Sequence, residues 1–295
     1  MAREFLSPKI ISKIDSLHFR ARRVVEGFIV GNHKSPYHGF SAEFSEHRAY
    51  GIGDEIKNID WKLYGKTDRY YVKQFEEETN LRAHLLLDKS SSMNYGSGAL
   101  TKMEYAQTLF ASFCYLMLKQ QDAVGLTLFD TDIQKFIPPR SKSSHLNVLL
   151  TELSKMKVGG ETSIAPILHK IAERIHKRGL IILISDLFDD PQKTFNGLKH
   201  FKYNGHEVVV FHILDPEEME FNFNERTRFI DKETGQKITT DPWHIKKDYQ
   251  AEMEKFCEFY KFNCRKNKMD YVQITTQQNL DEVVANYLIK RNGFK

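Results

Sequence analysis

Two aspartates follow short apolar runs in this sequence, at positions where buried strands are expected to end. Asp88 follows the run LLL, and Asp186 follows LIILIS. Three hydroxyl side chains accompany them: Ser90 and Ser92 in the loop after Asp88, and Thr162 after a Gly-Gly turn. Carboxylate, hydroxyl and water oxygens are preferred by hard cations such as Mg²⁺, whereas zinc prefers His or Cys. These five residues predict a divalent-cation site, with Mg²⁺ as the first choice and Mn²⁺ or Ca²⁺ as alternatives.

Taken singly, these residues have a simpler explanation. Asp and Ser are favoured where helices begin, because their side chains accept hydrogen bonds from backbone N–H groups. We prefer the metal site because all five residues follow expected strand ends. A site of this kind leaves a coordination position open, so that a carboxylate from another protein can complete the shell. Binding of that protein would then depend on the metal.

The elements that would position these residues alternate between apolar runs and helix-period runs from Arg82 onward, as in a parallel sheet with helices on both faces. We predict strands over 84–87, 123–129, 133–137, 180–185, 207–214 and 271–274, the third antiparallel and closed by Pro138-Pro139. We predict helices over 102–120, 145–156, 164–177, 191–203, 248–266 and 280–290. The fold class is therefore α/β, with a doubly wound, mostly parallel sheet whose carboxyl edge gathers the ligand-bearing loops.

Two regions fall outside this alternation. Residues 1–80 hold a helix followed by Gly- and aromatic-rich sequence, and we predict a small β-rich module there. Residues 81–295 form the main domain, in which about 217–241 is a hairpin insertion centred on Thr234-Gly235. We expect the module and the hairpin to pair into one small sheet. The first helix carries apolar and basic residues, so it either packs on its own domain, which we favour, or lies on a membrane surface.

Composition excludes several classes of protein. Of 295 residues, 43 are basic and 39 acidic, and both signs are interspersed, which argues against a nucleic-acid binder. Three cysteines without a disulfide or zinc spacing indicate core thiols in a reducing compartment. No window is apolar enough to cross a bilayer. We therefore expect a cytoplasmic protein without a membrane span.

The ligand pattern resembles a known family. A D-x-S-x-S loop after a buried strand, a threonine after a Gly-Gly turn and an aspartate after a later strand are similar to the metal-ion-dependent adhesion site of von Willebrand factor A domains. The resemblance covers roughly Arg82 to Ile289 and implies that Asp88, Ser90, Ser92, Thr162 and Asp186 are the ligands, some through water. The sequence departs from the pattern where Glu161 separates the Gly-Gly pair from the threonine.

The upstream segment resembles the bacterial family called domain of unknown function 58. The matching residues are Gly39, Glu43-Phe44, Glu46-His47-Arg48, Tyr50, Gly53-Asp54, Ile59 to Lys62, Val72-Lys73 and Phe75 to Glu78. Members of that family are similar to von Willebrand A proteins and are typically encoded near MoxR-type AAA+ ATPases and membrane-anchored relatives. The resemblance implies an adaptor or chaperone-like protein that binds such an ATPase or such a membrane-anchored von Willebrand A protein.

Three functions compete at this stage. The first is a non-enzymatic protein-binding module with a divalent cation. The second is a Mg²⁺-dependent phosphohydrolase, since a strand-end aspartate beside a cation also serves phosphoryl transfer. That function needs a group that activates Ser90 or Ser92, and the sequence places no His or Lys for this. The third is a structural scaffold whose metal site is empty.

Four further carboxylates lie near predicted strand ends, namely Asp130, Asp132, Asp189 and Asp190. They either enlarge an acidic rim around the cation or are solvated loop residues. We favour the second explanation because it needs no additional ligand.

Overall fold

The structure, a computed structural model, describes residues 17–25, 46–51, 59–74, 81–160, 163–223, 225–230 and 236–292. The chain divides into two compact units: Pro36–Asn80 is one, and Met1–Ser35 together with Leu81–Lys295 is the other. The first helix therefore groups with the α/β unit, whereas the sequence had placed residues 1–80 together. Within the described ranges, no helix is long and apolar enough to span a membrane.

The strands and helices are as follows. The strands are β1 (Glu46–Ala49), β2 (Tyr71–Gln74), β3 (Arg82–Asp88), β4 (Ala123–Phe129), β5 (Ile133–Arg140), β6 (Leu180–Ser185), β7 (Glu207–Leu214), β8 (Thr227–Ile230), β9 (Lys237–Thr240) and β10 (Asp270–Thr275). The helices are α1 (residues 17–25), α2 (Trp61–Thr67), α3 (Lys102–Lys119), α4 (His145–Lys155), α5 (Ile164–Arg174), α6 (Pro191–Tyr203), α7 (Pro216–Glu220), α8 (Pro242–Lys266) and α9 (Leu280–Asn292). A short 3₁₀ helix covers Ser91–Asn94.

Six of the strands form the main sheet, in the order β10-β7-β6-β3-β4-β5. Neighbouring strands are parallel except for β5, which runs antiparallel to β4 at the edge. The central strands β3 and β6 are almost entirely buried, which explains their continuous apolar sequences. The doubly wound, mostly parallel sheet predicted from the sequence is therefore confirmed.

The edge strand β5 is longer than expected. We had ended this strand before Pro138-Pro139, but it continues through both prolines to Arg140. Proline lacks a backbone N–H group, so a sheet accepts it where that side of the strand faces no partner. β5 has a partner on one side alone, namely β4, and this explains why the prolines are tolerated.

The first helix packs on the α/β unit. Leu17, Ala21, Val24 and Val25 share one face of α1 and are buried. The ring of His18, on the same helix, makes an edge contact with Tyr115 of α3, with 5.8 Å between ring centroids. Residues 17–25 therefore use their apolar face inside the protein. The predicted part of this helix before residue 17 lies outside the described residues.

Two small antiparallel sheets accompany the main one. β1 pairs with β2 in the unit Pro36–Asn80, and β8 pairs with β9 in the predicted hairpin insertion. The hairpin is confirmed. Over the described residues the expected pairing between the two regions is not present, because each forms its own two-stranded sheet. The insertion also contains the short helix α7, which the sequence reading had missed.

Candidate metal-binding site

Asp88 and Asp186 lie where the strand order of the main sheet reverses. From β3 the chain builds β4 and β5 on one side and then crosses to β6, β7 and β10 on the other. Asp88 is the last residue of β3 and Asp186 follows the last residue of β6, its parallel neighbour. The loops on either side of such a reversal diverge and leave a crevice at the carboxyl edge. The topology therefore brings the two predicted carboxylates together, and both are buried.

Hydrogen bonds fix the carboxylate of Asp88. Its Oδ1 accepts the backbone N–H of Ser90 at 2.9 Å, and its Oδ2 accepts the hydroxyl of Ser185 at 2.7 Å. Ser185 also accepts the backbone N–H of Leu187 at 2.9 Å. Leu187 has a φ of 58°, a left-handed conformation that favours glycine, so this turn stores backbone strain. We had not predicted a role for Ser185, although it is the one polar residue in the run LIILIS.

A buried lysine lies beside Asp186. The ammonium of Lys102 is 2.7 Å from Asp186 Oδ2 and 2.7 Å from Glu218 Oε1. It also lies 4.7 Å from the centroid of the Phe188 ring, and its side chain is fully buried. Lys102 is the first residue of α3, and nothing in the sequence distinguishes it from an exposed lysine. Neither Lys102 nor Glu218 was predicted from the sequence to belong to the site.

The charges of this cluster do not balance. Two carboxylates, Asp186 and Glu218, contact the ammonium of Lys102, and a third, that of Asp88, is close enough to Asp186 for their charges to interact. Burial, and then the negative charge of Asp186, raises the pKa of Asp88 to about 7. Burial also raises the pKa of Glu218, against the opposing effect of Lys102. Burial alone would lower the pKa of Lys102, but the two carboxylates outweigh it and hold that pKa above its ordinary value. The site therefore carries excess negative charge when Asp88 is ionised.

The predicted hydroxyl ligands lie next to Asp88. The side-chain oxygens of Ser90 and Ser92 are 2.9 Å apart, and Ser90 is buried. The Gly-Gly turn meets the same loop, since Gly159 N donates to Lys89 O at 3.1 Å and Ser91 N donates to Gly160 O at 3.2 Å. The turn that precedes Thr162 thus lies against the D-x-S-x-S loop, as the motif requires. Glu161 and Thr162 themselves lie outside the described residues, so the role of Thr162 stays a prediction.

The donor set fits a hard cation. Asp88, Asp186, Ser90 and Ser92 offer oxygen atoms alone, in a place where negative charge is in excess. A divalent cation would relieve the repulsion between the two aspartates. Over the described residues no group of three or more His, Cys, Asp or Glu side chains forms a metal cluster. The candidate site contains two carboxylates and draws its other donors from hydroxyls.

Two further residues, His212 and Tyr271, form hydrogen bonds that end on the backbone of Asp186. His212 on β7 lies next to Ser185 in the sheet, and its Nε2 is 2.8 Å from the backbone oxygen of Asp186. Burial lowers the pKa of His212 to about 4, so the neutral ring donates to that oxygen from Nε2. Its Nδ1 then accepts from the hydroxyl of Tyr271, at 2.6 Å. His212 thus positions the turn at Asp186.

A family model described as "Protein of unknown function DUF58" matches residues 46–256. The chain belongs to this family. Uncharacterized proteins of Mycobacterium bovis and Mycobacterium tuberculosis are 25% identical to it over 218 residues, covering 72% of this chain and 68% of theirs. The DUF58 resemblance seen in the sequence is thereby confirmed.

Solved structures similar to this DUF58 chain include the conserved hypothetical protein BatB from Bacteroides thetaiotaomicron. It is 17% identical with a TM-score of 0.47, covering 73% of this chain and 100% of that one. They also include the SpRpn10 VWA domain, which is 14% identical with a TM-score of 0.40, covering 70% of this chain and 94% of that one.

The four additional carboxylates of the DUF58 chain have local partners. Asp189 accepts the backbone N–H of Ile164 at 2.8 Å and so caps α5, while Asp190 caps α6. Asp130 pairs with Lys89 at 2.8 Å, and Asp132 pairs with Lys170 at 3.2 Å. We had expected all four to be solvated loop residues. Asp190 and Asp132 are exposed, whereas Asp130 is buried and Asp189 is half-buried.

Over the described residues, neither serine of the loop contacts a histidine or lysine that would activate it as a nucleophile. The side chain of Ser90 interacts with the carboxylate of Asp88 and the hydroxyl of Ser92, and the nearest lysine in sequence, Lys89, is paired with Asp130. The buried Lys102 is held by two carboxylates. A serine nucleophile needs a neighbouring base within hydrogen-bond reach.

Proposed function

We propose that this DUF58 protein is a non-enzymatic protein-binding module that acts through a divalent cation, Mg²⁺ before Mn²⁺ or Ca²⁺. Asp88, Ser90, Ser92, Thr162 and Asp186 would hold the cation. The observation that carries the proposal is the meeting of the buried Asp88 and Asp186 carboxylates with two serine hydroxyls at the crevice of the sheet. A binding role is further supported because neither Ser90 nor Ser92 contacts a histidine or lysine among the described residues.

The bound cation would supply a Lewis-acidic coordination position that accepts a carboxylate from the partner. The residues of the chain have distinct tasks in this arrangement. Ser185 and the backbone of Ser90 orient Asp88, and Lys102 holds one oxygen of Asp186. Because these contacts are made by buried groups, the ligands are positioned before the cation arrives.

The partner that we propose is a MoxR-type AAA+ ATPase or a membrane-anchored von Willebrand A protein, with this chain acting as a cytoplasmic adaptor. The support is the resemblance of the chain to its family, together with a site suited to an external carboxylate. Such a partner must therefore present an exposed Asp or Glu side chain.

The first test is cation binding by isothermal titration calorimetry on the purified full chain. We expect Mg²⁺ or Mn²⁺ to bind, and Asp88→Asn to weaken binding about 10- to 100-fold, because one ligand charge is lost while the shape is kept. Asp190→Asn is the matched control, since Asp190 caps α6 at the surface. Equal affinity of Asp88→Asn and wild type, or no binding at all, would refute the metal site.

The second test is affinity purification with and without EDTA, followed by mass spectrometry. We expect an AAA+ ATPase to be recovered with Mg²⁺ and lost with EDTA or in Asp88→Asn. Recovery that survives both treatments would instead identify a scaffold. A panel of phosphate esters assayed with Mg²⁺ completes the test. If the wild-type protein hydrolyses an ester and Asp88→Ala abolishes that turnover, the protein is a phosphohydrolase and the proposed binding module is refuted.

A further inference from the structure

A cavity lies between the candidate metal loop and the β8–β9 hairpin. It has a volume of about 690 Å³, within the range of sites that bind ligands. Ser92 and Tyr95 line it from the metal loop, and Phe229 and Ile238 line it from the hairpin. The cavity therefore begins at a proposed metal ligand and extends over an apolar surface.

The hairpin side of this cavity is anchored. Phe229 stacks on Phe221 with 5.4 Å between ring centroids, and Phe221 stacks on Tyr249 of α8 at 4.3 Å. Phe223, which also lines the cavity, makes edge contacts with Phe221 and Phe229 at 5.1 Å each. This aromatic cluster holds the hairpin on α8. A partner would meet a surface that needs little ordering before it binds.

The two described strands of the hairpin, β8 and β9, present apolar and positively charged side chains. Ile238 is 65% exposed and Ile230 is 53% exposed, although both are β-branched apolar residues that line the cavity. Strands β8 and β9 carry Arg228 and Lys237 and no acidic residue. Neither of these two cations makes an ion pair with another described residue. Exposed apolar side chains next to such charges mark a binding surface.

We infer that this cavity binds an acidic segment of a partner protein that carries one large apolar side chain flanked by Asp or Glu. The inference deepens the proposed function: one flanking carboxylate would reach the cation at Ser92. The apolar side chain fills the space against Phe229 and Ile238, and a second carboxylate pairs with Arg228. Charge complementarity favours an acidic segment because the cation and Arg228 are positive, while Glu218, the carboxylate that also lines the cavity, is paired with Lys102.

The test selects random peptides displayed on phage against the immobilised full chain in MgCl₂. We expect the enriched peptides to contain Phe, Leu, Ile, Met or Trp flanked by Asp or Glu. A synthetic peptide of the enriched sequence should bind Ile238→Asp about tenfold more weakly or worse, because burial of the apolar side chain is lost. Arg228→Glu should weaken it as well and reduce the salt dependence of binding.

Ile289→Asp is the matched control, because Ile289 is 52% exposed on α9 and does not line this cavity. It should bind the peptide like wild type. Enriched peptides without an apolar residue, the absence of enrichment, or equal binding by Ile238→Asp would overturn the inference. Repeating the titration in EDTA separates the two proposals. Binding lost in EDTA but retained by Ile238→Asp supports the metal site and refutes the cavity, and the reverse pattern supports the cavity and refutes the metal site.

Discussion

Lys102 shows how one side chain decides the electrostatics of this site. Its ammonium is the counter-ion of Asp186 and Glu218 and has no access to water. Removing one partner of a buried ion pair leaves the others unpaired in a medium that solvates charge poorly. The free energy of unfolding should therefore depend strongly on Lys102, even though lysine is among the residues least often buried.

We predict that Lys102→Met lowers the free energy of unfolding by about 3–5 kcal/mol, because two buried carboxylates lose their counter-ion. Urea unfolding followed by circular dichroism measures it. Lys255→Met is the control: its ammonium is also 2.7 Å from a carboxylate, that of Glu252, but the pair is exposed. Surface pairs contribute little, so the urea midpoint of Lys255→Met should match wild type. Equal midpoints for both variants would contradict the importance of the buried pair.

His84 gives a second prediction at this scale. It is buried on β3, where desolvation and then the neighbouring His206 lower its pKa to about 4. The unfolded chain binds this proton near pH 6.5, so the stability contributed by neutral His84 is lost as the pH falls from 6.5 toward 4. In urea titrations from pH 7 to pH 5, wild type should lose about 2 kcal/mol more than His84→Leu. Parallel losses in the two proteins would show that His84 does not titrate in this way.

At the scale of elements, Asp215 joins three segments near the carboxyl edge of the sheet. It caps α7 by accepting the backbone N–H of Glu217 at 3.0 Å. It also accepts the backbone N–H of Ser97 at 3.0 Å and the hydroxyl of Thr276 at 3.0 Å. Burial would raise the pKa of Asp215, but these hydrogen bonds, with that of the Ser97 hydroxyl first, outweigh it and lower that pKa. Asp215 thus links α7, the segment after the metal loop and the end of β10.

We predict that Asp215→Ala lowers the free energy of unfolding by about 3 kcal/mol, since several hydrogen bonds to a buried charged acceptor are lost together. Thermal denaturation measures the effect. The matched variant is Asp190→Ala, which removes an exposed cap from α6 and should cost distinctly less. If the two variants had the same melting temperature, Asp215 would be an ordinary cap.

At the scale of the whole molecule, the α/β unit is assembled from two separate stretches of the chain. Met1–Ser35 belongs to the same compact unit as Leu81–Lys295. The apolar face of α1 is buried, with Val25 fully inaccessible to water. The free energy of unfolding of the main unit should therefore depend on residues that precede it by more than fifty positions in sequence.

We predict that Val25→Asp destabilises the main sheet by about 3 kcal/mol or more, because a charge enters an apolar interface without a partner. Hydrogen–deuterium exchange detects this as faster exchange of the backbone amides of β3 and β6. Phe19→Asp is the control on the same helix, since Phe19 is 66% exposed. It should leave these exchange rates unchanged. Unchanged rates in Val25→Asp would mean that α1 contributes little to the main unit.

The sequence alone determined the regular part of the fold and indicated the two aspartates of the candidate site. Buried parallel strands need continuous apolar runs, and their lengths are set by where those runs end, so β4, β6 and β7 agree with their predicted bounds. Asp88 and Asp186 were predicted to meet because parallel strands end at a common edge. The alternation of strands and helices along the chain predicts parallel strands, and therefore a common edge.

The tertiary structure alone decided which cation pairs with the carboxylates of the site and which elements form the cavity beside it. Lys102 meets Asp186 across 84 positions and Glu218 across 116, and no local pattern encodes such separations. The hairpin was predicted, but its place over α8 depends on Phe221, Phe229 and Tyr249, aromatic residues that look alike in sequence. The spacing of apolar residues predicts the helices and strands, because it reflects which face of each one is buried. Charge compensation and cavities depend on which elements become neighbours, and that follows from packing of the entire chain.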